Sequence, residues 1–336
     1  AQTHGASVEI ISLPWRTYAS HLKDNFSYGL LRRLKSFKCD ILLQDELNHP
    51  SLLLTNFYLN HPPNYPIISI THHLRSSENR SRSVNSFYRM VEKLYLKSVH
   101  GFIFNSESTR DSVKKLNREL KPYVVSYPGR KPKGHGIDFG FIRKRALNPG
   151  PLRLLFVGAL IPRKELHTLL KTLSLIPKKD WSLRIVGSLE TDKAYTSQIL
   201  ELSRRLELEK NITLLGSMSE DELEAEYRHA HTLVVPSSYE GFGIVYLESM
   251  GFGVPPLAST AGAAHEIITD GLNGFLVSPG DTKSIAEKIR RLVNDRDLLV
   301  KMGEAALDRF MSHPTWEQSC EKIFHFMTEM IGVPYV

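Results

Sequence analysis

The chain reads PSSYEGFGIVYLE at residues 236–248. An apolar run typical of a buried strand ends at Pro236, a glycine turn follows, and a helical pattern begins at Ile244. Glycines let backbone N–H groups approach a ligand closely. The start of a helix adds N–H donors without partners and the positive end of the helix dipole. The stretch therefore predicts an anion-binding corner at the edge of an α/β sheet.

Two carboxylates flank this corner. Glu240 precedes the helix, and Glu248 follows inside it, so that the two side chains could reach different hydroxyl groups of one extended ligand. The same residues also fit a structural turn with two solvated acids. The residues of this stretch alone leave that choice open.

Strands and helices alternate on both sides of the corner, which predicts parallel sheets with helical crossovers. The second half predicts strands at 152–157, 181–186, 211–215, 232–236, 254–258 and 274–277, and helices at 164–175, 193–206, 219–228, 285–294, 301–310 and 316–330. The first half predicts strands at 8–13, 40–43, 67–71, 101–104 and 123–127, and helices at 85–97 and 108–120. The fold class is therefore α/β, with two doubly wound units facing a cleft.

The chain has 336 residues, more than one comfortable core, so two domains are expected. Residues 128–151 are rich in glycine, proline and basic residues and predict a linker or long loop. We expect an N-terminal domain at 1–147, a C-terminal domain at 148–315 and a terminal helix at 316–336 that crosses back. Residues 1–4 resemble a helix end, which predicts an incomplete N-terminal unit without its first strand and glycine loop.

Composition excludes several classes of protein. Hydrophobic residues make up 41% and charged residues 24%, as in ordinary globular proteins. No run of apolar residues is long enough to span a membrane, and we expect no signal peptide. The two cysteines, Cys39 and Cys320, show neither metal spacing nor a disulfide framework. They predict buried thiols and a cytoplasmic protein.

Charge is unevenly distributed. Residues 1–150 carry 23 Lys and Arg against 11 Asp and Glu, whereas residues 151–336 carry 20 against 25. Residues 26–38 form a basic amphipathic pattern, for which an ordinary surface helix is the favoured interpretation and contact with anionic lipid at the inner membrane surface the alternative. No nucleic-acid-binding module is recognisable, and aromatic residues do not interleave with the basic clusters.

Residues 236–280 resemble the Glu-x7-Glu region of glycosyltransferase family 4, group 1 glycosyl transferases that retain anomeric configuration and adopt the GT-B fold of two Rossmann-like domains. The matching pieces are PSSYEGFGIVYLESMGFGVPPLAST, GAAHEII and DGLNGFLVSPGD. Upstream, LLFVGALIPRKELHTLLKTL, RIVGS and NITLLGSMSEDEL resemble the family's strand ends, and ITHH and GFIFNSESTRDSV resemble segments of its first domain. The resemblance runs from about residue 67 to the C-terminus.

The resemblance implies roles by position. Glu240 would bind donor-sugar hydroxyls, Glu248 the ribose, and His72 would lie opposite the donor sugar, with His73 as the weaker candidate. Lys164, with Arg163 beside it, would neutralise the leaving diphosphate. The remaining donor-binding residues would be Gly158, Gly187, Leu215, Met218, Gly241, Phe242, Gly243 and Ile244, of which Leu215 and Met218 would contact the base.

The implied substrate is a UDP-, GDP- or ADP-linked sugar, and the implied acceptor is a glycan, lipid-linked or small molecule. The family needs no metal or cofactor, and no histidine pair with i, i+4 spacing is present. Two departures stand out: Ala159 follows Gly158 where the family often has arginine, and Gly262 is followed by Ala263 rather than glycine. Alternatives are a catalytically inactive sugar-nucleotide-binding protein, another two-Rossmann enzyme such as an epimerase, and a nucleic-acid-binding protein.

Overall fold

The computed structural model describes residues 5–14, 16–59, 65–78, 80–131 and 136–332. The described strands form two parallel sheets. The predicted helix end at residues 1–4 lies outside the described residues.

The first sheet has four strands in the order β1-β2-β3-β4. Its elements are α1 (Tyr18–Asp24), α2 (Tyr28–Ser36), β1 (Leu42–Asp45), α3 (His49–Leu59), β2 (Ile67–Thr71), α4 (Arg82–Ser98), β3 (Gly101–Phe104), α5 (Glu107–Asn117) and β4 (Tyr123–Val125). One face packs against helices α2 to α5, through buried residues such as Leu34, Leu52, Tyr95 and Val113.

The second sheet has six strands in the order β10-β9-β8-β5-β6-β7. Its elements are α6 (Phe139–Leu147), β5 (Leu152–Val157), α7 (Leu166–Leu173), β6 (Trp181–Val186), α8 (Lys193–Arg205), β7 (Ile212–Gly216), α9 (Glu220–His229), β8 (Thr232–Val235), α10 (Ile244–Met250), β9 (Pro256–Ser259), α11 (Ala264–Ile267), β10 (Phe275–Val277), α12 (Thr282–Asn294), α13 (Arg296–Met311) and α14 (Trp316–Met330). The strand order reverses between β5 and β8, which is where ligands bind in such sheets.

The last helix, α14, packs on the first sheet rather than the second. Phe326 lies in one apolar cluster with Ile68 of β2 and Ile103 of β3. The Ser126 hydroxyl after β4 also donates to the Ser319 carbonyl of α14 at 2.9 Å. The chain therefore returns to its first half at its end and joins the two units.

The strand predicted at residues 8–13 is wrong, because residues 6–14 adopt no β-structure. Ile11 and Leu13 pack against the first core, but Val8 and Ile10 are 69% and 80% exposed. Alternating apolar residues suit a strand only where a neighbouring strand completes the ladder. No described strand pairs with this segment.

The linker predicted at residues 128–151 is also wrong in part, because it contains α6. The Asp138 side chain accepts the Phe141 N–H at 2.7 Å and caps this helix. Ile142 is buried against Gly253 and Gly303. The glycine and proline residues on both sides predict a loop, so the sequence does not reveal this short helix. The helix is stabilised mainly by tertiary packing.

The prediction that both thiols are buried is wrong. Cys39 is half-buried and Cys320 is exposed. On α14 the buried position is the preceding one, Ser319. Successive helical residues point about 100° apart, so Cys320 leaves the packed face.

Candidate active site

The crevice between β5 and β8 brings together the two loops that carry the predicted site residues. The loop after β5 carries Arg163 and Lys164, and the loop after β8 carries Glu240. The Ser238 N–H donates to the Arg163 carbonyl at 2.9 Å and ties the loops to each other. The Lys164 ammonium lies 2.5 Å from a Glu240 carboxylate oxygen. The predicted cation and carboxylate therefore meet at the switch point of the sheet.

Glu240 is a buried, charged carboxylate. Only 7% of the residue is exposed, and its Oε1 also accepts the Ser237 hydroxyl at 2.7 Å. Burial raises the pKa of Glu240, but Lys164, Arg163 and the hydrogen bonds together hold it below the ordinary 4.5. The carboxylate is therefore ionised at neutral pH and can accept hydrogen bonds from sugar hydroxyls.

Two cations converge on this carboxylate. Arg163 Nη1 lies 3.3 Å from Glu240 Oε1 and donates to the Tyr239 carbonyl at 2.7 Å. Arg163 lies beside Lys164 and supplies a second positive charge. The position after Gly158, where the family often has arginine, is Ala159 in this chain. A negative group entering the crevice would meet two cations that the fold already holds in place.

The turn after Glu240 packs directly against the first unit. A side chain at Gly241 would place its Cβ 2.4 Å from the His72 carbonyl oxygen. The Ser106 hydroxyl donates to the Gly241 carbonyl at 2.7 Å. Gly243 has φ +85°, and a Cβ there would lie 2.4 Å from the Tyr246 ring. Glycine at both positions is thus required by packing.

His72 follows β2 on the opposite wall, where its side chain is partly exposed. Its Nε2 lies 3.5 Å from an Asp45 carboxylate oxygen at the end of β1. The hydrogen bond to Asp45 raises the pKa of His72 above 6.5, although burial acts in the other direction. Burial raises the pKa of Asp45, but His72 lowers it below 3.8. The neighbouring His73 pairs instead with Glu78 at 3.1 Å.

We expect Asp45→Asn to lower the pKa of His72. The charged pair exists between the depressed pKa of Asp45 and the raised pKa of His72, and its stabilisation is lost as pH rises through the latter. Both side chains are more than a third exposed, so the stability change stays below about 1 kcal/mol. NMR titration of the His72 ring is the measurement. The same titration in Asp40→Asn, an exposed site, should match wild type, and an unchanged His72 pKa in Asp45→Asn would exclude the pairing.

Glu248 lies on α10 beside a small cavity of about 50 Å³. The buried Tyr227 hydroxyl donates to its Oε2 at 3.3 Å. Lys131 and Ile244 line the same cavity. Glu248 is thus held beside this small cavity, on the same helix that begins at the glycine turn.

The other predicted donor-binding residues lie at or just after the carboxyl ends of neighbouring strands. The Gly158 N–H donates to the Val186 carbonyl at 2.9 Å, and the Gly187 N–H donates to the Gly216 carbonyl at 2.8 Å. Leu215 and Met218 are half-buried against the second core. Phe242 is buried there too. These positions lie along one edge of the second sheet. The donor-binding roles that the resemblance implies for them stay predictions.

Some residues that join the two walls were not among the predicted site residues. Both carboxylate oxygens of Glu266 accept backbone N–H groups at the start of α5, from Glu107 at 2.9 Å and from Ser108 at 2.8 Å. Asp45, the partner of His72, was missed as well. The N-cap residue Ser106 signals that a helix starts there. Nothing in the sequence signals which carboxylate from the other unit meets it.

Among the described ranges, no three His, Cys, Asp or Glu side chains cluster as metal ligands would. Across the same part of the chain, no helix combines the length and apolar character of a membrane span.

The chain is similar to proteins of one known family. The family model described as glycosyl transferases group 1 matches residues 139–309, just over half of the chain. A capsular polysaccharide biosynthesis glycosyltransferase, CapM of Staphylococcus aureus, is 30% identical over 184 residues, which are 53% of this chain and 47% of CapM. An uncharacterised glycosyltransferase of Methanocaldococcus jannaschii, MJ1607, is 29% identical over 70% of this chain and 65% of its own. The chain matches about half the length of the first curated relatives.

Solved structures share the whole architecture at low identity. A sucrose-phosphate synthase of Thermosynechococcus elongatus superposes with a TM-score of 0.77 at 21% identity, covering 94% of this chain and 79% of its own. HepE of Anabaena, in complex with UDP and glucose, superposes with a TM-score of 0.74 at 20% identity, covering 89% and 80%. These likenesses confirm the expected GT-B fold.

Proposed function

The chain belongs to the group 1 glycosyl transferases, and we propose on that premise that it transfers a sugar from a nucleotide-diphosphate sugar to an acceptor. One observation carries the proposal. Lys164 and Arg163 converge on the buried carboxylate of Glu240 at the switch point of the second sheet. Cleavage of the donor builds positive charge on the sugar carbon and negative charge on the departing diphosphate. Fixed cations stabilise the second of these charges.

Each residue has one part in this proposal. Lys164 and Arg163 bind the diphosphate, Glu240 orients the donor sugar through its hydroxyls, and Glu248 binds the ribose. His72, held by Asp45, faces the donor sugar from the first unit. The cleft between the two units would limit the access of water to the reacting carbon.

UDP is the first nucleotide to test. HepE is described in complex with UDP and with UDP-glucose, and that fold covers most of this chain. GDP- and ADP-sugars stay as alternatives. The acceptor of the whole protein is a glycan, a lipid-linked saccharide or a small molecule. A cytoplasmic location stays a prediction, and contact of α2 with an anionic membrane stays the alternative to an ordinary surface helix.

We expect retention of anomeric configuration, because residues 236–280 resemble the Glu-x7-Glu region of retaining enzymes. An α-linked donor should give an α-linked product. Proton NMR of the transfer product distinguishes the two anomers by the coupling of the anomeric proton. A β-linked product would refute retention while leaving transfer itself intact.

Binding without turnover would favour the alternative, a catalytically inactive sugar-nucleotide-binding protein. The assay is release of UDP from UDP-glucose in the presence of a mixed panel of sugar acceptors. Saturable UDP binding combined with no release above a protein-free control would support that alternative.

A further inference from the structure

A second cavity, of about 250 Å³, lies in the first unit at the carboxyl ends of β1 and β2. Its lining includes Tyr18 of α1, Glu46 and His49 after β1, and His73, Arg75 and Glu78 after β2. Pockets for drug-sized ligands span roughly 300–1,000 Å³. This cavity therefore suits one ring-sized group rather than an oligomer.

Glu46 is a buried acid in the cavity wall. Only 2% of the residue is exposed, and its Oε2 has no hydrogen-bond partner among the described residues. The neighbouring His49 Nδ1 donates to the Glu46 backbone carbonyl at 2.9 Å and lies 3.5 Å from Oε1. A buried carboxylate oxygen without a donor is costly. The Glu46 side chain would have to turn toward the adjoining cavity for a ligand hydroxyl to supply that donor.

Arg75 is a fixed cation in the same wall. Its guanidinium lies 5.3 Å from the centroid of the Tyr18 ring and 5.0 Å from that of Tyr88, and its Nε has no hydrogen-bond partner among the described residues. A guanidinium held against aromatic rings keeps its planar fork oriented, and that fork matches a phosphate or carboxylate group. Arg16, paired with Asp24 at 2.9 Å, adds a second cation to the lining.

The cavity adjoins the proposed donor site. The His73 ring lies 6.1 Å from the Tyr239 ring, centroid to centroid, and the Tyr239 carbonyl accepts the Arg163 guanidinium at 2.7 Å. Burial raises the pKa of Glu78, but His73, Arg80 and also Arg163 lower it below 4.5. A molecule in the cavity would thus lie against the wall that borders Glu240.

We propose that this cavity binds the acceptor, and that the acceptor is a hydroxyl-rich, ring-sized group bearing a phosphate or a carboxylate. Arg75 and Arg16 bind the anionic group, and Glu46 accepts a ring hydroxyl. This inference rests on the proposed transferase function, because it assigns the second substrate of the same site.

Calorimetric titration with defined probes tests the inference. Glucose 6-phosphate, glucuronate and neutral glucose are titrated into the whole chain with saturating UDP, so that the probes cannot occupy the diphosphate site, and again without UDP. Wild type should bind at least one anionic probe in the millimolar range or tighter, and more tightly than glucose; the preferred anion identifies phosphate or carboxylate. Arg75→Gln should weaken that binding by about tenfold or more, the value of a charge-assisted hydrogen bond. Arg89→Gln, on the exposed face of α4, is the charge-matched control and should bind as wild type does.

Two further variants keep the test decisive. Arg16→Gln, at a more exposed position, should weaken anion binding in the same direction even if Arg75→Gln fails to fold. Glu46→Gln should weaken glucose 6-phosphate binding but leave inorganic phosphate unaffected. Equal affinities in Arg75→Gln and Arg89→Gln, or glucose binding as tight as both anions, would overturn the inference. Loss of UDP binding with anion binding intact would instead count against the donor site of the proposed function.

Discussion

Replacing Glu240 by glutamine should lower sugar transfer by roughly 10²–10³-fold while the chain stays folded. Glutamine keeps the size of the side chain and a contact for Ser237, but it removes the negative charge that Lys164 and Arg163 face. The loss should appear in kcat, because an oriented sugar matters most as charge develops on its carbon. Steady-state transfer of the sugar from UDP-glucose is the measurement.

The same variant carries a stability prediction. Removing one member of a buried ion pair leaves the other charge uncompensated, which costs about 3–5 kcal/mol. The side chains of Lys164 and Glu240 are 12% and 9% exposed, so solvent screens this pair little. A nucleoside diphosphate should restore part of the loss by taking the place of the carboxylate. Glu287→Gln, on the exposed face of α12, is the matched control, and transfer by Glu240→Gln at the rate of that control would refute the assignment.

Lys164→Ala should lower kcat by about 10²–10³-fold and weaken binding of UDP. The ammonium is held at the end of β5 by Glu240, and it faces the crevice where the diphosphate is proposed to lie. Arg163 remains nearby in this variant, so residual activity is expected rather than none. Single-turnover kinetics with UDP-glucose separates the loss in chemistry from the loss in binding.

Lys171→Ala provides the control for that experiment, because it removes the same charge from an exposed position on α7. Combining Lys164→Ala with Glu240→Gln should cost less than the sum of the two single changes, since each change already breaks the same pair. Fully additive losses, or a Lys164→Ala variant as active as Lys171→Ala, would contradict the role given to the pair.

Local sequence patterns were sufficient to predict most helices and strands of the second unit. The predicted strand at 181–186 and the predicted helix at 316–330 have the bounds found in the structure. The predicted helix at 219–228 starts with a capping box between Ser219 and Glu222, a spacing visible in the sequence. Apolar periodicity and caps are encoded within a few residues, so they can be read along the chain. The failures at residues 8–13 and at α6 have another origin, because a strand needs a neighbour and α6 depends on packing against Gly253 and Gly303.

The candidate site was predictable in its members but not in its pairings. The glycine turn and the resemblance identified Glu240 and Lys164, which are 76 residues apart. That these two bond to each other follows from the order of strands β5 and β8, which the sequence does not state. The pairing of His72 with Asp45 and the capping of α5 by Glu266 likewise depend on how the elements and units meet.

Nucleotide binding at Lys164 tests the central claim most directly. Thermal-shift titration of wild type, Lys164→Ala and Lys171→Ala with UDP-, GDP- and ADP-sugars is the measurement. We predict that one nucleotide sugar stabilises wild type and Lys171→Ala alike, and stabilises Lys164→Ala far less at the same concentration. If none of the three nucleotide sugars stabilised wild type, or if wild type and both variants were stabilised equally, the result would contradict a donor site at this crevice.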